Sequence, residues 1–144
     1  MMTVTSREIV DQMLRAGRQM DAETFVELMA PDGYIEWPFH PPGTPGRVQG
    51  REDIRQFLTA TAQPFVRFDE YRDLVVHETA DPEVVIAEYE AHGAVVATGE
   101  PFEQTVIAVF RVRDGQIQSY RDYLNPLPVA EALAAAAGAD RGHA

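Results

Sequence analysis

The sequence predicts an α+β domain in which a cone-shaped, curved antiparallel sheet wraps around N-terminal helices to form an α+β barrel. Apolar side chains recur at helical spacing between residues 5 and 30 and again over 51–62, and from residue 66 four long runs rich in Val, Ile, Phe and Tyr follow. Four long strands cannot cover three helices without curling, so we expect a cone with a pocket inside. The length of 144 residues fits a single domain spanning 1–144, with a frayed tail over 136–144.

Three helices are predicted before the long strands begin. The first starts at a capping box made by Thr5 and by Glu8 three residues later. The second runs from the N-cap residue Asp21 to Pro31, which cannot continue a helix. A third helix is expected over residues 51–62, where apolar residues again share one face.

The strands are predicted from runs of β-branched and aromatic residues separated by turn signals. The clearest signal is Asp114-Gly115, a dipeptide typical of tight hairpins, and the Asn125-Pro126 step ends the last strand before a final short helix. A Pro- and Gly-rich loop is expected at 40–46. The predicted strands cover 33–39, 66–79, 83–98, 102–113 and 115–124.

The composition excludes several classes of partner. The net charge is −11, and all 12 basic residues are arginine. Nucleic acids and anionic membranes both require a clustered basic surface, so neither is expected to bind. The sequence contains no apolar run of the roughly 20 residues that a membrane-spanning helix needs. Cysteine is absent, which excludes disulfides and thiolate chemistry, and we expect a cytoplasmic protein.

The stretch "SYRDYLNPL" at 119–127 places an aspartate among aromatic residues in a strand, where an idle carboxylate is unexpected. Strand alternation puts Asp122 on the same face as Tyr120. If Glu90 of an earlier strand also faces the cone interior, the two carboxylates raise each other's pKa, and one stays protonated. That arrangement suits general acid/base catalysis without a cofactor. The alternative is a structural salt bridge from Asp122 to Arg72 or Arg111.

The remaining candidate site residues are mostly aromatic. We expect an apolar pocket that takes a small hydrophobic molecule. Glu88, Glu90 and His92 share one strand face, but same-face neighbours lie about 7 Å apart, so no metal site is predicted. The convex face of the sheet is not covered by the predicted helices, so we expect a second copy of the chain to pack against it in a homodimer. The candidate substrate-binding residues are Trp37, Glu88, Tyr120, His40, Phe57 and Phe110.

The order of elements, with "VFRVRDGQIQSYRDYLN" near the end, resembles the nuclear transport factor 2-like superfamily, and within it the SnoaL-like branch. The resemblance covers roughly residues 6–130. Members of that superfamily include ketosteroid isomerases, polyketide cyclases, limonene-type epoxide hydrolases, phenazine-biosynthesis proteins and non-catalytic binding proteins. The resemblance therefore implies the cone-shaped fold with a small-molecule site inside it.

Individual motifs can be carried over residue by residue. "YRDYLN" is similar to the final-strand motif of the epoxide hydrolases, and SnoaL-type cyclases place an acid/base aspartate in the same strand. Both comparisons point to Asp122. The Arg-x-Asp pair of the epoxide hydrolases falls on Glu88 and Glu90, so the acid is retained and the arginine is replaced. The two aspartates of the ketosteroid isomerases fall on Trp37 and near Ala108.

These residues support three hypotheses for function. The first is a cofactor-independent isomerase, cyclase or dehydratase of secondary metabolism that acts on a small hydrophobic oxygenated ring compound. In it Asp122 is the principal acid/base and Glu90 its partner. The second is epoxide hydrolysis, in which the same two carboxylates activate water. The third is a non-catalytic domain for small-ligand binding or assembly.

Overall fold

The computed structural model describes residues 4–60 and 65–141, with side chains up to residue 135. It confirms the α+β class: helices come first in the chain, and a curved six-stranded sheet follows. None of the described helices is both long and apolar enough to cross a membrane. The elements are α1 Ser6–Gln19, α2 Ala22–Leu28, β1 Met29–Glu36, β2 Arg47–Gln49, α3 Arg51–Thr59, β3 Val66–Glu78, β4 Val84–Val95, β5 Pro101–Arg113, β6 Gln116–Leu124 and α4 Pro126–Arg141.

Both predicted N-caps are present. The Thr5 hydroxyl accepts a hydrogen bond from the Glu8 amide at 3.2 Å, and the Asp21 carboxylate accepts one from the Thr24 amide at 3.1 Å. Each contact satisfies an amide at a helix start that has no partner within the helix. The predicted starts of α1 and α2 are therefore confirmed.

The predicted boundary between α2 and the first strand is wrong. Helix α2 ends at Leu28, and both Met29 and Pro31 belong to β1, which therefore begins four residues before the expected strand 33–39. Proline is tolerated there because the pairing of β1 with β6 is interrupted between Met29 and Tyr34. Helix α3 ends at Thr59, and the expected last residues of that helix, 61 and 62, lie outside the described part of the chain.

The four long strands form the predicted antiparallel meander, in the order β3, β4, β5, β6. One pairing departs from the expected antiparallel sheet, because β1 lies parallel to β6, with Ile35 opposite Tyr120. The short β2 adds an antiparallel edge beside β1. Strands β2 and β3 are the two edges, so the sheet is curved but unclosed.

Strand β3 bends where its pairing with β4 slips, between Phe68 and Glu70 and again between Arg72 and Val75. Gly93 permits close contact at the first of these slips. A Cβ atom at this position would lie 1.8 Å from the carbonyl oxygen of Arg67. The absence of a side chain at Gly93 therefore allows β4 to follow the bend of β3.

The core fills the concave side of the sheet, where the helices lie. From α1, Val10 and Met13 are almost fully buried, and from β4 the residues Val85, Ala87 and Tyr89 point the same way. The other face of β4 is largely solvent-exposed. This division decides which side chains reach the interior of the cone.

Candidate active site

Asp122 lies near the C-terminal end of β6, on the concave side of the sheet. Ala108 of β5 is directly opposite Asp122, and Ala87 of β4 is opposite Ala108. Both alanines are completely buried. The cross-strand neighbours of Asp122 on the sheet are therefore small side chains within a close-packed core.

A cavity of about 260 Å³ opens in front of Asp122. The end of α1 contributes Gly17 and Met20, and α2 contributes Phe25. Beyond the end of β1, Trp37 forms another part of the wall, so residues distant in sequence meet around one space. The other lining residues that the structure describes are Ala16, Asp21, Ala22, Ile35, Phe57, Leu58, Val66, Phe68 and Tyr120. The wall is mainly apolar and aromatic, as in most small-molecule sites.

The Asp122 carboxylate has an unusual environment. Its Oδ1 atom is buried and has no hydrogen-bond partner among the described residues. Burial disfavours the charged form and raises the pKa of Asp122 to about 7, while a polar interaction with the Trp37 side chain opposes the rise. A carboxyl group with a pKa near 7 can both accept and donate a proton at neutral pH.

The alternative of a structural salt bridge to Asp122 is wrong. Arg72 bonds Glu70 at 2.5 Å, and Arg111 bonds Glu83 at 3.0 Å, so both arginines are engaged elsewhere. Arg121, the neighbour of Asp122 in sequence, points to the other side of the sheet and contacts Glu36. The Asp122 carboxylate therefore faces the cavity without a cation from these three side chains.

Glu90 does not share the cone interior with Asp122, contrary to the prediction. Its side chain is 49% exposed on the convex face and lies 3.3 Å from His92. Glu88 points the same way and contacts His77 at 2.5 Å. Strand alternation correctly divided the residues of β4 between two faces. The face that points to the concave side is the one that carries Tyr89 and Ala91, not the one that carries Glu88 and Glu90. The described residues include no group of three or more His, Asp or Glu side chains placed to hold a metal ion.

A second carboxylate, that of Asp21, borders the cavity in place of Glu90. It is the N-cap of α2, and both of its oxygens accept hydrogen bonds from Thr24. These bonds lower the pKa of Asp21, so its carboxylate stays charged at neutral pH. The pKa of Asp122 is thus raised and that of Asp21 lowered by their surroundings. Both oxygens of Asp21 are, however, already engaged in capping α2.

The other predicted site residues fall into three groups. Trp37, Phe57 and Tyr120 line the cavity, and the rings of Trp37 and Phe57 touch with centroids 5.2 Å apart. Phe110 is completely buried and packs behind Tyr120 at 4.4 Å, so it supports the wall rather than lining it. His40 lies in the loop after β1 and borders a neighbouring cavity instead.

Sequence reasoning missed two tyrosines near Asp122. Tyr71 of β3 and Tyr89 of β4 stack with ring centroids 4.4 Å apart. Burial raises the pKa of both, that of Tyr71 to about 12, and the nearby charge of Asp122 adds to the rise. The pKa of Tyr120 is raised for the same two reasons. The hydroxyls of Tyr71, Tyr89 and Tyr120 therefore all stay protonated at neutral pH. The one available signal was that Tyr89 shares a face of β4 with small apolar residues.

The chain is similar to known proteins over most of its length. The model of the SnoaL-like domain matches residues 10–120. An uncharacterised PhzA/B-like protein of Pseudomonas aeruginosa is 38% identical, with 90% of this chain and 91% of that protein covered.

Two solved structures show the same fold. A Bacillus subtilis protein described as a candidate isomerase has a TM-score of 0.80 and 32% identity, covering 91% of this chain and 96% of that one. A Xanthomonas campestris protein described as a candidate polyketide cyclase has a TM-score of 0.70 and 26% identity, covering 83% and 90%. With the family model matching more than two thirds of its residues, this chain belongs to the SnoaL-like family, which has the NTF2-like fold.

Proposed function

We propose that this chain is a cofactor-independent acid/base enzyme of secondary metabolism. Its reaction is an isomerisation, cyclisation or dehydration of a small hydrophobic oxygenated ring compound. The observation that carries the proposal is the Asp122 carboxylate. It faces an aromatic cavity, its buried oxygen has no partner within residues 4–60 and 65–141, and burial raises its pKa to about 7. Buried groups with such shifted pKa values are concentrated at functional sites.

The chemistry follows from the groups around the cavity. The ionised Asp122 takes a proton from the carbon next to the oxygenated group of the substrate, and electrons move onto that oxygen. The protonated Asp122 then returns the proton at a second position, which completes an isomerisation without net change in atoms. The Tyr120 hydroxyl belongs to the wall and is the donor available for the developing oxyanion, whereas the Trp37 side chain interacts with the Asp122 carboxylate itself.

Asp122 acts in this proposal without Glu90 as its partner. The outward position of Glu90 and Glu88 counts against epoxide opening by the pair of Asp122 and Glu90. The descriptions of the two structural relatives, as a candidate isomerase and a candidate polyketide cyclase, agree with proton-transfer chemistry.

The test is turnover of a panel of polycyclic ketones and cyclic epoxides in ¹⁸O-labelled water, with products identified by mass spectrometry. Asp122→Asn keeps the size of the side chain and removes the titrating group. It should lower kcat by about 10²–10⁴-fold. Glu90→Gln is the matched control on the convex face and should retain kcat.

Each outcome assigns a different role. Unlabelled isomerised or cyclised product that depends on Asp122 supports the proposal, and labelled diol would assign epoxide hydrolysis instead. Equal turnover by wild type and Asp122→Asn would refute the role of Asp122. Tight binding of panel compounds without conversion would assign a ligand-binding domain.

The proposal includes a homodimer that forms through the convex face of the sheet. Val75 and Ile107 are 49% and 43% exposed there, and each lies opposite Glu88 in the strand register. Burying such side chains against a second copy removes apolar surface from water. Ile107→Glu should halve the mass found by sedimentation velocity, whereas Val4→Glu, at an exposed apolar residue near the N-terminus, should not. The expected cytoplasmic location would be tested by cell fractionation.

A further inference from the structure

A second cavity of about 220 Å³ lies next to the one that contains Asp122. The two cavities share Trp37 and Phe57, which therefore form a common wall. The far side of the second cavity is formed by Phe39 and His40 of the loop after β1, Leu124 at the end of β6, and Val129 of α4.

Strand β6 runs past both cavities on its concave side. Asp122 lines the first and Leu124 lines the second, and residues two apart on a strand are separated by about 7 Å. That separation is spanned by a short alkyl chain or by one additional ring. The second cavity is therefore within reach of a molecule whose polar end lies against Asp122.

The shared wall is one layer of aromatic rings. The centroids of Trp37 and Phe57 are 5.2 Å apart, with ring planes inclined by 47°. Phe57 is 42% exposed, so packing constrains its ring on only one side. A ligand that occupies both cavities therefore requires the Phe57 ring to turn aside, and the exposure of that ring leaves space for it to do so.

Cavity size also favours joint use. Small-molecule pockets in proteins usually hold about 300–1,000 Å³, and each cavity alone falls below that range. The two together fall within it. The ligand that fits both is longer than one ring and has its polar group at one end.

We propose that the second cavity is a subsite for the apolar end of the ligand whose oxygenated end is held by Asp122. The substrate class is thereby narrowed to elongated compounds, either fused rings or a ring with an alkyl substituent. Phe39, Leu124 and Val129 set the length that is accepted. This inference rests on the proposed function for the position of the oxygenated end.

His40 is a lining residue of the second cavity that also makes polar contacts. Its Nδ1 atom is 3.4 Å from the Pro41 carbonyl oxygen and 3.5 Å from the Thr44 hydroxyl, so its polar contacts are within its own loop. The Thr44 hydroxyl donates to the same carbonyl at 2.6 Å. These contacts hold the loop as a preformed wall of the subsite.

The test measures binding of a series of para-alkylphenols, from para-methylphenol to para-hexylphenol, by isothermal titration calorimetry. In the wild type the affinity should rise about fourfold for each methylene that enters the second cavity, the usual gain for a buried methylene. Val129→Trp fills that cavity and should abolish the rise while leaving para-methylphenol binding unchanged. Leu127→Trp is the matched control, because Leu127 is 65% exposed on the same helix and lines neither cavity.

Phe39→Ala gives a second measurement in case Val129→Trp does not fold. Phe39 is 58% exposed, so its truncation should leave the fold intact and reduce the gain per methylene. The proposal is overturned if the affinity of the folded variants rises with chain length as steeply as that of the wild type. Because this readout requires no turnover, it is independent of whether Asp122→Asn abolishes activity.

Discussion

Replacing Asp122 by asparagine should make the protein more stable than the wild type at high pH. The difference in the free energy of unfolding between the two proteins should be larger at pH 8 than at pH 4. In the wild type, burial raises the pKa of Asp122 from 3.8 to about 7. Between these two values the folded protein holds a proton on Asp122 that the unfolded chain has lost. Stability therefore falls as pH rises from about 4 to about 7, and it is constant above that range.

The magnitude follows from the size of the shift. One pKa unit corresponds to about 1.4 kcal/mol, so ionising Asp122 in the folded state costs up to about 4 kcal/mol. Asparagine does not titrate, so the variant escapes this cost at high pH. The variant should therefore gain up to about 4 kcal/mol over the wild type between pH 4 and pH 8, because titrations common to both proteins cancel in the difference.

The assay is urea unfolding of both proteins at pH 4, 5.5, 7 and 8, followed by circular dichroism, with Glu90→Gln as the control. Glu90 is about half exposed, so the control should follow the wild-type pH dependence to within about 1 kcal/mol. A difference between wild type and Asp122→Asn that stays constant with pH would show that Asp122 is ionised normally. That result would remove the basis for its role as acid/base.

Three further predictions concern the framework of the site. Phe110→Ala should lower the free energy of unfolding by about 3–5 kcal/mol in a urea titration, because the ring is completely buried and the variant leaves a cavity. Gly93→Ala should lower the melting temperature in calorimetry, since its Cβ would collide with the carbonyl oxygen of Arg67, and an unchanged melting temperature would contradict the close contact. Thr5→Ala should cost about 1 kcal/mol in urea unfolding by removing the α1 cap, whereas Thr5→Ser should retain most of that stability.

Much of the local structure could be predicted because it depends on short-range chemistry. Side-chain oxygens at Thr5 and Asp21 satisfy helix amides three residues away, and Asp114-Gly115 forms a turn in which both residues have positive φ. Alternation also placed Asp122 and Tyr120 on one face of β6. These features require only neighbouring residues, so they are present in the sequence itself.

The sequence by itself thus determined the α+β order of elements, the antiparallel meander and the position of Asp122 on the same face of β6 as Tyr120. Tertiary structure decided which face of β4 points inward, because both faces begin with apolar residues and only the position of the helices tells them apart. It also decided the parallel pairing of β1 with β6. This pairing brings Trp37 beside Asp122, although the two residues are far apart in the sequence. The pKa of Asp122 depends on that enclosure, since the cost of burying a charge is set by groups that are distant in sequence.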